Sequence, residues 1–182
     1  MDINALVNIT ARAWALPVLA HLHEGVPGRQ AALLQAAGAG RTALGQSLDH
    51  LIRIGLVERN PGHGHPLRPE FRLTPAGQRA AETASRLHRA AGAGGQDLLR
   101  RAWTVPVLAS LQSPQYFNDI SRSLLTITDR ALSQSLKSME QRSWIERSIS
   151  AAARPPRALY RAVNTGGLLS RIAGAAVTSA LR

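Results

Sequence analysis

The sequence predicts a mainly helical α+β protein built as two copies of one small domain, and two observations predict it. A six-residue stretch, Ala43-Leu44-Gly45-Gln46-Ser47-Leu48, returns as Ala131-Leu132-Ser133-Gln134-Ser135-Leu136, differing only at its third position. Each copy then runs into a matching ending, Leu56-Val57-Glu58-Arg59 and Trp144-Ile145-Glu146-Arg147, with the spacing between copies held at 88 residues. The second observation is compositional. Hydrophobic residues make up 45% of the 182, but aromatics only 4%, and an Ala-Leu-Arg-rich chain with few β-branched runs favours helix. Two copies of so long a period mark a duplicated domain, since solenoids need three or more short repeats.

Taken in order, Asp2 to His23 carries apolar residues at helical spacing (Ile3, Leu6, Val7, then Trp14, Val18, Leu22). Pro17 lacks an amide proton and crowds the preceding turn, so the stretch divides into a helix ending near Arg12 and another over Ala15–His23 with Pro17 in its first turn. Gly25 to Gly28 is a turn, and Arg29 to Ala37 a short helix closed by Gly38-Ala39-Gly40. A third helix spans Arg41 to Ile54, with Leu44, Leu48, Leu51 and Ile54 on one face and Gly55 suited to a left-handed C-terminal stop. Leu56–Arg59 and Glu70–Leu73 read as paired strands around a Pro/Gly-rich loop. Thr74-Pro75 is an N-cap followed by proline at the first helical position, opening a helix to Ala91.

Ala90-Ala91-Gly92-Ala93-Gly94-Gly95 has linker composition. The expected division is therefore 1–91, a linker at 92–95, and a second domain over 96–182. After the linker the order repeats. Arg101-Ala102-Trp103 and Pro106-Val107-Leu108-Ala109 match Arg12-Ala13-Trp14 and Pro17-Val18-Leu19-Ala20 at a separation of 89. A short helix near Asn118–Leu125 follows, then one over Asp129–Gln141 with Thr128 as N-cap. Strands at Ile145–Ile149 and Leu159–Val163 come next, and a last amphipathic helix covers Leu168–Leu181.

Helix, turn, helix and two-stranded wing make a winged helix-turn-helix, whose third helix must seat an apolar side on its domain and offer a polar side to the DNA major groove. In the first copy the outward candidates are Arg41, Thr42, Gly45, Gln46, Asp49 and Arg53; in the second they are Asp129, Arg130, Ser133, Gln134, Lys137 and Gln141, with the N-cap Thr128 beside them. Gln46 and Gln134 are equivalent, and glutamine can bond an adenine edge in two places. The wings add phosphate-facing charge: Arg59, His63, His65, Arg68 and Arg72 in one, Arg147, Arg154, Arg157 and Arg161 in the other.

Charge agrees with a polyanionic partner. The net charge is +11, with ten Arg against six acids in residues 1–92 and twelve Arg and Lys against five acids in 93–182, so both halves are basic. Cysteine is absent, which excludes disulfides, thiolate metal sites and thiol redox chemistry and fits a reducing cytoplasm. No run of 18 apolar residues is present, and acidic Asp2 stands where a signal peptide would be basic, so neither a membrane span nor a leader is expected. His21-x-His23 points to two helix faces and His63-x-His65 has no acidic third ligand nearby, so no metal or cofactor is expected. With no phosphate loop, nucleophile elbow or paired carboxylates, the chain is not expected to be an enzyme.

The opening Trp, the Ala-Leu-x-Gln-x-Leu stretch, the Gly-Leu-Val-Glu-Arg helix exit and the Phe-Arg-Leu-Thr-Pro-Ala-Gly wing return resemble the HxlR-type, MarR-related winged-helix regulators. The resemblance covers residues 12–79 well. It is weaker over 100–166, where Ser143-Trp144-Ile145-Glu146-Arg147 and Val163-Asn164-Thr165-Gly166 replace those motifs. It implies a regulator of transcription, often a repressor, that binds double-stranded DNA. Family members usually carry one domain and read palindromes as homodimers joined through terminal helices. Two domains in tandem then imply an intramolecular pseudo-dimer, monomeric or dimerising further, resident on the nucleoid. Some relatives sense oxidants through cysteine, a mechanism this chain cannot share. The alternative function is a tandem winged-helix scaffold that binds protein in a chromosome or transcription assembly; it predicts acidic or apolar third-helix faces, of which only Asp49 and Asp129 are signs.

Overall fold

The computed structural model describes residues 1–60, 69–150 and 155–178. Its backbone contacts divide the chain into two compact units, Asn8–Arg89 and a second made of Ala90–Arg182 together with Met1–Val7. The first seven residues thus group with the second half, where the sequence division of 1–91 would put them with the first; the Met1 ammonium donates to the Ala176 carbonyl at 2.8 Å.

The N-terminal unit contains most of its chain as helices α2 (Ala15–His23), α3 (Gln30–Ala37), α4 (Arg41–Arg53) and α5 (Pro75–Ala91), preceded by α1 (Ile3–Thr10) and interrupted by strands β1 (Val57–Asn60) and β2 (Glu70–Leu73). Its core is one layer of leucine. Ala15 to Ala20 of α2 are all buried, and against them sit Leu33 of α3 and Leu44, Leu48 and Leu51 of α4. Each such leucine contributes roughly 1.5–3 kcal/mol on burial. Gly55 takes φ +73°, and Leu56 N–H donates to Leu51 C=O, turning α4 directly into β1. Strands β1 and β2 pair antiparallel from Val57 opposite Leu73 to Asn60 opposite Glu70. Thr74 closes the wing: its hydroxyl donates to Gly55 C=O at 2.7 Å and accepts from Gly77 N–H at 3.0 Å, capping α5.

The second unit repeats this order with α6 (Gln96–Leu99), α7 (Thr104–Ser110), β3 (Gln115–Tyr116), α8 (Phe117–Ser123), α9 (Asp129–Gln141), β4 (Ile145–Ser150), β5 (Arg157–Ala162) and α10 (Asn164–Thr178). Thr104 to Ala109 are buried as their counterparts in α2 are, and Leu132, Leu136 and Met139 of α9 repeat Leu44, Leu48 and Leu51 at a separation of 88. Leu33 and Ile120, the one buried residue each of α3 and α8, are 87 apart. The loop ahead of α8 is therefore two residues shorter than its counterpart, and the turn after α8 one residue longer. The sequence alone shows only their sum, a single-residue gap.

Three features differ from the sequence reading. β3 pairs with β5 (Gln115 opposite Tyr160), making a three-stranded sheet ordered β3-β5-β4; in the N-terminal unit its place is taken by a single bridge between Arg29 and Glu70. The Gly-rich 92–95 stretch is ordered: Ala93–Gly95 is one 3₁₀ turn, and Gly95 is buried with its Cα face against the Trp144 ring. The Arg142 guanidinium bonds both Gly94 C=O and the Asp97 carboxylate there. Trp14, in the apolar series of the first helices, and its repeat Trp103 are only half-buried at the starts of α2 and α7, whereas Trp144 is buried.

His21 and His88 stack edge to face between α2 and α5, with ring centroids 5.2 Å apart. Glu24 lies beside them, its carboxylate 3.8 Å from His21 Nδ1 and accepting from buried Ser85 Oγ at 2.8 Å. Burial holds His88 below the ordinary histidine value of 6.5, and the neighbouring His21 pushes the same way, against Glu24. A depressed histidine means the unfolded chain binds the extra proton. The contribution to stability is present above pH 6.5 and is lost as pH falls below it. Wild type is expected to lose more stability than His88→Gln between about pH 7.5 and 5.5 in urea titrations.

Candidate nucleic-acid interface

The two third helices present their polar sides to solvent. On α4, Arg41, Thr42, Gln46, Asp49 and Arg53 are exposed and Gly45 half-exposed; on α9, Asp129, Arg130, Ser133, Gln134, Lys137 and Gln141 are all exposed. The spacing accounts for this, because apolar residues at i, i+4 and i+7 (Leu44, Leu48 and Leu51; Leu132, Leu136 and Met139) hold one side of each helix to the core and leave the rest outward. His50, next to Asp49, is half-buried and donates from Nε2 to Asn8 C=O at 2.7 Å.

The two helices start differently. Thr128 caps α9, its side chain accepting from Ala131 N–H at 3.2 Å, while α4 is preceded by Gly40 and has no side-chain cap. Gly45 weakens α4 further, since glycine is about 1 kcal/mol worse than alanine inside a helix. A Cβ at Gly45 would meet nothing within 4 Å. Gly45→Ala is therefore expected to raise the stability of the chain by about 1 kcal/mol, measured by thermal or urea unfolding.

Ion pairs sort the basic residues into two groups. Arg72 and Arg29 both reach Glu70, at 3.1 and 3.5 Å, and the Arg72 hydrogen bond, ahead of the other influences, holds the exposed Glu70 carboxyl below its usual range. Arg161, the counterpart of Arg72 across the duplication, is paired with Glu146 at 2.6 Å. By contrast Arg41, Arg53, Arg59, Arg130, Lys137, Arg147 and Arg157 form no ion pair among the described residues. Arg157 lies over the Tyr116 ring, 5.0 Å from its centroid, and the Tyr116 hydroxyl donates to Ser150 Oγ at 3.1 Å, both at the loop end of the paired strands β4 and β5. His63, His65, Arg68 and Arg154 lie outside the described residues. Among the described residues no group of three histidines, cysteines and acids is placed to hold a metal ion, and no single helix is long and apolar enough to cross a membrane.

Within each unit, then, an amphipathic third helix follows a shorter helix and runs directly into a two-stranded wing. The HxlR-like helix-turn-helix family matches this chain twice, over residues 9–93 and again over 98–177. The chain belongs to the HxlR-like helix-turn-helix family. As a tandem HxlR-like winged-helix protein it is a DNA-binding regulator of transcription. Among solved structures, the reduced form of the transcriptional regulator YodB from B. subtilis is similar at 25% identity, covering 41% of this chain and 74% of that one with a TM-score of 0.38. The diamide-treated YodB from B. subtilis is similar at 22% identity, covering 50% and 83% with a TM-score of 0.33. No curated protein sequence matches.

One residue of this HxlR-like surface escapes the sequence. Leu125, in the turn ahead of α9, is 76% exposed and has φ +45°. No sequence pattern marks it; its counterpart in the structure is Gly38, which takes φ +64° at the end of α3.

Proposed function

We propose that this protein is a repressor that reads two unequal DNA half-sites with one chain, α4 entering one major groove and α9 the next, about 34 Å along the duplex. The observation that carries the reading is the set of exposed arginines and lysine on both third helices and wings that have no acidic partner among the described residues, while Arg72 and Arg161 are neutralised within the wings. Cations not neutralised by a carboxylate are available to phosphates and guanine edges. Gln46 and Gln134 give the two helices a common adenine-reading group. Arg41-Thr42 against Asp129-Arg130, and Asp49 against Lys137, make the half-sites different. A homodimer is confined to a symmetric operator; a duplicated chain is free to diverge. The outer helices would join the halves as a pseudo-dimer, and occupation of the operator would block transcription.

A mobility-shift titration against genomic fragments at two salt concentrations tests the reading. Binding should be specific and should fall steeply as salt rises, because each phosphate contact releases counterions. Absent or salt-insensitive binding would overturn it.

A further inference from the structure

We infer that Leu125 is an apolar DNA contact, packing on the 5-methyl group of a thymine in the half-site read by α9; this rests on the DNA-reading function proposed above. Leu125 is the most exposed large hydrophobic side chain among the described residues. Its backbone is also held where a leucine is disfavoured, at φ +45° in a tight turn closed by Thr126 N–H donating to Leu124 C=O. Two other non-glycine residues share positive φ, and both stand at ordinary structural corners. Ser143 replaces the helix-stopping Gly55, and Asn164, a residue that tolerates this region, donates to Ser143 C=O at 3.0 Å. Leu125 has neither excuse. The first copy places glycine at the same corner, and a Cβ there would enter open space. The second copy therefore carries both a strained backbone and an exposed apolar side chain that the fold does not require.

Position argues what the side chain is for. Leu125 lies three residues before the Thr128 cap and five before Arg130, at the N-terminal end of the helix whose first residues meet base edges in this architecture. Arg130, five residues on, is exposed and forms no ion pair among the described residues, whereas Arg122 is held by Asp119. The thymine methyl is the apolar feature of the major groove, and an exposed leucine ahead of α9 is matched to it. Ile149, 59% exposed on strand β4 of the same unit's wing, is the next most exposed large hydrophobic side chain, so both stand on the elements that would face the duplex.

The test uses the full chain and a duplex selected by wild type from a random-sequence pool, compared with copies in which single thymines are replaced by uracil. For wild type, one thymine in the α9 half-site should lose about fourfold in affinity on losing its methyl. Leu125→Gly should bind the thymine duplex about fourfold more weakly, be indifferent to that replacement, and melt at a higher temperature because the turn is relaxed. Equal sensitivity of both proteins to every uracil, or unchanged binding by Leu125→Gly, overturns the inference while leaving the DNA-reading function intact. Loss of concentration-dependent self-association in Leu125→Gly with unchanged DNA affinity would assign the residue to a protein contact and overturns it too. Failure of wild type to select any duplex overturns both.

Discussion

Gly166→Ala is expected to destabilise the protein by on the order of 3 kcal/mol or more, and Gly77→Ala by a similar amount. A Cβ at Gly166 would stand 1.9 Å from the Trp144 carbonyl oxygen, and one at Gly77 1.8 Å from that of Leu56. These two glycines occupy equivalent places, where the helix after the wing crosses the start of the wing. The obstructing atoms are backbone, and both carbonyls are already committed: Trp144 C=O accepts from Val163 N–H at 2.9 Å and Leu56 C=O from Thr74 N–H at 3.1 Å. Neither can withdraw without breaking the junction between β4 and α10, or between β1 and α5. Gly167 is the matched control, since its nearest neighbour would be 3.6 Å away, an ordinary contact. Urea unfolding of the two variants at neighbouring positions gives the comparison: Gly167→Ala should be near neutral. If Gly166→Ala were equally mild, the close crossing would be wrong.

Arg130→Ala is expected to cost specific DNA binding about 1–3 kcal/mol, the range for a lost base-reading pair. Arg130 is exposed in the first turn of α9, has no ion pair among the described residues, and its removal should leave the fold unchanged. Arg86, exposed on α5 and part of neither third helix, is the charge-matched control. Its loss lowers the overall positive field by the same unit, so equal weakening by both substitutions would mean that α9 is not the reading face. The same comparison with Arg161→Ala measures how far an arginine already paired with Glu146 contributes to phosphate binding.

What was legible in the sequence was whatever repeats or caps. The residue order Thr128-Asp129 set the start of α9, and Thr74-Pro75 that of α5, because a cap and a first-turn proline act within a few residues of themselves. The buried sides of α4 and α9 followed from leucine spacing. Strand β3 did not, because two residues have no period and their pairing with Tyr160 and Leu159 is made across more than forty residues. For the glycines the sequence shows position but not cause. Gly94-Gly95 has linker composition, yet Gly95 is small so that the Trp144 ring can lie on it; Gly28 sits in a turn, yet a Cβ there would stand 1.9 Å from the Phe71 carbonyl oxygen. Composition reports that glycine is present, not whether freedom or close approach is the reason. Leu125 was hidden for the opposite cause, since neither its exposure nor its φ is written in the hydrophobic pattern.

The central claim is that one chain carries two different reading heads on DNA. Its most direct measurement is a footprint at a protein-to-DNA ratio fixed by the molecular weight of the complex. A single chain should protect two half-sites one helical turn apart with different base sequences, and exchanging the half-sites should reverse its orientation. Protection of one half-site per chain, or a strictly palindromic site requiring two chains, would contradict it.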